Sequence, residues 1–246
     1  MFETLTVERA KGYAEVTLNR PDVLNALSPL MTRELMAAFA WLENGPDVHA
    51  VIVTGARRAF CAGLDTRALA SEGTRAFDLA TNNVPAAFER FPGPVIAAVN
   101  GVAYTGGFEM SLACDVVLAA ESASFVDGHS RIGLLPGWGL AARLQRIVGP
   151  QRAKYLSLSG RRLTAREAEQ WGLVSLCVPD EELMSSARAL AEEMVGAAPG
   201  ILAPLKRLID ESGRTTLAEA LANEAGKARA ANTARGAALE IGRGRT

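Results

Sequence analysis

Two hydrophobic rhythms alternate along this chain. Strict alternation in Tyr13-Ala14-Glu15-Val16-Thr17-Leu18 predicts a strand over 13–19, paired with another over 3–9 across a Lys11-Gly12 turn. Arg20-Pro21-Asp22 ends it. Apolar runs at 50–54 and 95–99 predict buried strands, and a third strand is expected over 115–120. Helical spacing follows Ser28, a suitable N-cap, and Pro29 at the first helical position, and runs to Gly45-Pro46, so a helix is expected over 28–43. Further helices are expected over 107–113, 138–148, 150–158 and 164–170, with one or two inside 66–93. From about residue 180 the pattern is helical throughout, over 180–197, 199–211 and 214–235. A strand–turn–helix unit thus recurs near 50, 95 and 115. An α/β core over 1–190 is expected, followed by a C-terminal helical region over 191–246 that serves oligomerisation.

Composition narrows the classes. The chain has 246 residues, with 26 basic and 27 acidic side chains and a net charge of −1. That balance offers no basic excess of the kind nucleic-acid binding requires. No apolar run is long enough to cross a bilayer. Met1-Phe2-Glu3-Thr4-Leu5 lacks the basic and apolar regions of a signal peptide, so a cytoplasmic location is expected. Cys61, Cys114 and Cys177 are odd in number and widely spaced, and read as reduced thiols, not as a metal pair or disulfide framework.

The candidate chemistry lies in two stretches that each leave a buried strand. The first is Ala59-Phe60-Cys61-Ala62-Gly63-Leu64-Asp65. The second is Asn100-Gly101-Val102-Ala103-Tyr104-Thr105-Gly106-Gly107-Phe108-Glu109. Small side chains at such points let a ligand approach the backbone. The N–H groups of Gly106 and Gly107 fall at a helix start, where they lack intrahelical partners and suit an oxygen that gains negative charge. Alone, either stretch reads more readily as a tight turn.

Together they carry a resemblance. With Leu18-Asn19-Arg20-Pro21, Leu24-Asn25-Ala26-Leu27, Cys114-Asp115, Leu134-Leu135-Pro136-Gly137, the run 160–165 and the run 168–174, the sequence resembles the crotonase (enoyl-CoA hydratase/isomerase) superfamily over nearly its whole length. The resemblance implies a ClpP/crotonase-type spiral of ββα units with C-terminal helices, assembled as a homotrimer or a dimer of trimers. It implies an acyl-CoA substrate whose thioester oxygen lies between two backbone N–H groups, mapped here to Ala62 and Gly106. Leu24, Ala26, Ala62, Gly63, Leu64, Asp65, Thr66, Tyr104 and Gly106 are then expected along the CoA thioester. No metal and no separate cofactor is implied, CoA being part of the substrate.

Glu109 lies three residues after Gly106, about one helical turn on, and matches one of the two glutamates of family hydratases. The second glutamate is missing: its place falls at His129, within Phe125-Val126-Asp127-Gly128-His129. An imidazole titrates near neutrality and suits proton transfer. Asp127 is a candidate to orient it or to substitute for it. His49 is given no role, and Arg57 and Arg58 are solvated candidates for CoA phosphates. Gly137-Trp138-Gly139 fits the glycine pattern of a dinucleotide-binding turn but follows no clear strand, so it is set aside.

The leading expectation is therefore an enoyl-CoA hydratase-like lyase that adds water across the α,β double bond. Double-bond isomerisation, other acyl-CoA lyase or hydrolase chemistry, and non-catalytic acyl-CoA binding are the alternatives, since fold membership alone does not select among them.

Overall fold

The computed structural model describes residues 2–45, 47–73, 75, 77 and 82–243, with side chains as far as 233. Part of the irregular stretch expected to hold helices within 66–93 lies outside the described residues. The chain divides into two compact units, ending and beginning at Ala197 and Ala198. The break falls after a helix that spans Leu183–Val195, not within it at 190.

The first unit is built on two sheets. One has six strands in the order β1 (Leu5–Arg9), β2 (Gly12–Leu18), β3 (Val48–Gly55), β5 (Val95–Val99), β7 (Val116–Ala120) and β10 (Leu176–Val178). β1 and β2 form the expected antiparallel hairpin, with Leu5 opposite Leu18. The remaining pairs are parallel. β5 is buried along its entire length, as its unbroken apolar run requires. α9 (Leu183–Val195) packs against β2, β3, β5 and β7.

The second sheet has the order β4 (Ala59–Cys61), β6 (Val102–Tyr104), β8 (Ser124–Val126) and β9 (Arg162–Thr164). β4, β6 and β8 run parallel, so their C-terminal ends lie side by side. None of these three-residue strands is expected from periodicity. Each exists because a neighbour pairs with it.

α1 (Pro29–Glu43) begins as expected: the Ser28 hydroxyl accepts from the Met31 N–H at 3.1 Å and Pro29 takes the first position. It buries Phe39, whose ring centroid lies 4.4 Å from that of Phe88 and 6.0 Å from that of Phe91. Phe88 belongs to α3 (Val84–Arg90), so one aromatic cluster fastens α3 to α1. Beneath the second sheet's strand ends, Phe108 on α4 (Gly106–Leu112) meets Phe125 on β8 at 5.3 Å. The second unit holds α10 (Leu202–Ser212) and α11 (Leu217–Arg243), where Asn223 and Lys227 of α11 both donate to Glu211 of α10.

The Phe39 cluster yields a direct test. Phe39→Ala removes a side chain that is 2% exposed and touches two other rings. It is expected to destabilise the fold by about 3–5 kcal/mol. Urea unfolding checks this. A loss below about 1 kcal/mol would show that the cluster is not part of the cooperative core.

Candidate active site

Three chain segments leave the aligned ends of β4, β6 and β8, and everything expected to carry chemistry sits on them. The first, 62–66, is laced to the loop 24–27. Ala62 donates its N–H to Leu24 O (3.0 Å), Leu27 donates to Gly63 O (2.8 Å), and Asp65 donates to Leu27 O (2.8 Å). Asn25 is wholly buried and ties that loop down: its Oδ1 accepts from the Arg20 N–H, and its Nδ2 donates to Ala56 O and Ala59 O. The two expected parts of the CoA bed are therefore one connected surface.

Two of those residues behave otherwise than the resemblance implies. The Ala62 N–H is consumed by Leu24 O, so it is not free for a ligand oxygen. Two residues on, the Leu64 N–H makes no hydrogen bond among the described residues. The Asp65 carboxylate caps α2 (Thr66–Glu72) by accepting from the N–H groups of Arg67 and Ala68, and pairs with Arg20 at 2.9 Å. Burial raises its pKa, but the Arg20 guanidinium and these N–H donors outweigh that and hold it below the usual range. Asp65 is thus a structural post, while Thr66 is exposed and Leu64 half-buried.

The second segment abuts the first backbone to backbone. A Cβ on Gly63 (φ +83°) would lie 1.9 Å from Thr105 Oγ1, and one on Gly107 would lie 2.3 Å from Cys61 O. Only glycine permits this approach at both points. The Gly106 N–H opens α4 without an intrahelical partner. Cys61 beside it is no nucleophile, because burial pushes its thiol up to about 12. Tyr104 is half-buried, its ring against Gly128.

Glu109, one turn along α4, is 3% exposed. Its Oε1 accepts from the N–H groups of Trp138 (2.7 Å) and Leu140 (3.3 Å). Those two N–H groups face the same oxygen because Gly139 between them has φ +97°. The glycine pattern at 137–139 therefore serves a carboxylate of the chain itself. The Trp138 carbonyl is in turn held by Arg143 at 2.5 Å, and Arg143 pairs with Glu89 of α3. Burial raises the Glu109 pKa above the usual carboxylate range, although the two N–H donors and His129 pull the other way.

The third segment brings Asp127 and His129 to the same place. Asp127 Oδ1 lies 2.7 Å from His129 Nδ1 and also accepts the His129 N–H at 3.1 Å. Burial raises the Asp127 pKa, but hydrogen bonds from the His129 ring and from Ser157 outweigh it, so this carboxyl sits low and ionised. An ionised carboxylate only accepts, so Nδ1 carries the proton and Nε2 is left for chemistry. Nε2 lies 3.9 Å from Glu109 Oε2. That exceeds a direct hydrogen bond, yet both atoms reach a single water placed between them. His49 and the exposed Arg57 lie outside this constellation; Arg57 faces Asp22 at 3.6 Å.

A core of mostly parallel strands that sets two glycine-lined backbone segments beside a buried glutamate fits the crotonase class that the sequence resembles. Comparison with known proteins agrees. The model of the enoyl-CoA hydratase/isomerase family matches residues 8–235. A probable peroxisomal enoyl-CoA hydratase of Arabidopsis thaliana is 36% identical over 89% of this chain and 83% of its own length. A carnitinyl-CoA dehydratase of Salmonella enteritidis is 36% identical over 85% and 80%. Among solved structures, an enoyl-CoA hydratase of Bacillus anthracis superposes with a TM-score of 0.87 at 35% identity, covering 91% of this chain and 89% of that one. The chain belongs to the enoyl-CoA hydratase/isomerase family.

The raised pKa of Glu109 has a consequence for stability. A carboxyl whose folded pKa exceeds its unfolded one stabilises the fold when protonated, and that contribution is lost as pH rises through the folded value. Glu109→Gln keeps an oxygen for the Trp138 and Leu140 N–H groups without the buried charge. It is expected to melt above wild type at pH 8, with the gap closing on acidification. Melting curves across pH decide it, and a lower melting temperature for the variant at pH 8 would refute the assignment.

Proposed function

We propose that this chain hydrates the α,β double bond of an enoyl-CoA thioester. The observation that carries the reading is Glu109: buried one turn beyond Gly106, one oxygen fixed by two backbone N–H groups, the other facing His129 Nε2 at 3.9 Å. The thioester oxygen accepts from the Gly106 N–H and, in place of the expected Ala62, from the Leu64 N–H. Addition of water at the β-carbon sends an electron pair to that oxygen as an enolate, and such donors are worth about 10²–10³ in rate each. Glu109 takes the proton from the attacking water. Protonated His129 delivers one to the α-carbon. Transfer of the proton from Glu109 to His129 through the space between them restores both groups. Asp127 holds the imidazole in the orientation this requires.

The cytoplasm and a trimeric assembly belong to the same reading. Leu135 and Leu158 are 90% and 76% exposed, and Ile132 and Tyr155 lie on the same run of short helices; such apolar surface favours burial by a second copy. Among the described residues no helix is long and apolar enough to cross a membrane.

Loss of the conjugated-thioester absorbance of crotonyl-CoA tests the reaction. Wild type should turn over. Glu109→Gln and His129→Ala should each fall by about 10²–10⁴. Equal binding of the CoA ester by wild type and Glu109→Gln, with turnover by neither, would leave a binding protein instead. Appearance of a shifted double bond without hydration would mark an isomerase.

A further inference from the structure

Thr105 breaks a backbone rule that its neighbours obey. Its backbone stands at φ 44°, ψ −107°, in the positive-φ range that a β-branched residue occupies only under strain. The residue is 5% exposed, and its hydroxyl makes no hydrogen bond among the described residues, although its oxygen is not one of the buried unpartnered atoms. Glycine at 105 would avoid this strain, and the chain places glycine at the next two positions. The backbone polar atoms do not explain the threonine. Its N–H donates to Val126 O at 2.9 Å and its carbonyl accepts from the Glu109 N–H at 2.9 Å, bonds that glycine would make equally well.

What glycine cannot supply is the hydroxyl, and its position is informative. A Cβ built on Gly63 would meet Thr105 Oγ1 at 1.9 Å and the Gly106 nitrogen at 3.3 Å. Oγ1 therefore touches the Gly63 backbone at the seam between the two segments that carry the Leu64 and Gly106 N–H groups. The hydroxyl hydrogen turns freely about its bond and has no acceptor in the protein to hold it.

We propose that the Thr105 hydroxyl is a third hydrogen-bond donor to the oxygen of the bound thioester. This rests on the hydratase reading of the same site. The ligand oxygen supplies the missing acceptor, and the bond strengthens as that oxygen becomes an enolate. Backbone strain at 105 is what holds the hydroxyl at the seam.

Three variants test it in crotonyl-CoA hydration, with kcat and KM measured separately and thermal unfolding recorded alongside. Thr105→Ser keeps the hydroxyl and is expected within about threefold of wild type. Thr105→Val keeps the shape, and Thr105→Gly removes the strain; both are expected to lose about tenfold to a hundredfold, mainly in kcat. Thr105→Gly should also unfold at a higher temperature than wild type, so its lost activity cannot be a lost fold. Glycine or valine variants as active as wild type overturn the third donor and leave the hydratase reading intact. A serine variant as slow as valine overturns it too, because the side chain would then act by shape. Wild type without hydratase activity overturns the functional reading and this proposal with it.

Discussion

Two backbones touch at Gly63 and Gly107, and the site depends on that contact. Gly63 lies against Thr105 Oγ1 and Gly107 against Cys61 O, so the peptide groups leaving β4 and β6 face a common space. A Cβ would come within 2.8 Å of Tyr104 O at Gly63 and within 2.3 Å of Cys61 O at Gly107, so the segments would have to shift and the convergence of two N–H donors on one oxygen would be disturbed. The parallel pairing of β4, β6 and β8 sets up this approach and carries Asp127 and His129 to the same edge.

The polar groups around that space are held at more than one level. Asn25 fixes the loop that receives Ala62, and Asp65 and Arg20 fix the start of α2. Glu109 is oriented by the peptides of Trp138 and Leu140, and Arg143 and Glu89 brace that loop. His129 is oriented by Asp127. A buried carboxylate and an imidazole that each have one atom fixed by the protein present the other in a defined direction, which proton transfer needs more than it needs any particular pKa.

Long periodic elements were legible in the residues. The helix expected over 28–43 is Pro29–Glu43, and the strand expected over 95–99 is Val95–Val99. The three-residue strands β4, β6, β8 and β9 were not, because three positions show no period and their extended form comes from a neighbour. The spacing of Gly106 and Glu109 and the substitution at His129 could be read from side-chain chemistry. The roles of the Leu64, Trp138 and Leu140 peptides could not, since a backbone N–H has no signature in sequence. Ala62 was the expected donor, but only the loop at Leu24 reveals that its N–H is taken. The glycine pattern at 137–139 is set aside in the sequence as a dinucleotide turn; in the structure the N–H groups of Trp138 and Leu140 around Gly139 donate to a carboxylate of the same chain.

The bond from Glu109 to the peptides at 138 and 140 spans about thirty residues of sequence. During synthesis, a nascent chain emerged only as far as β8 holds both glycine-lined segments and the carboxyl, but not the peptides that accept its charge. The fixed orientation of that carboxyl therefore waits for the loop before α6 (Leu140–Val148) to dock. Orientation of the catalytic base is coupled to a non-local folding event, so a chain that has not folded that far has no proton acceptor held in a defined direction.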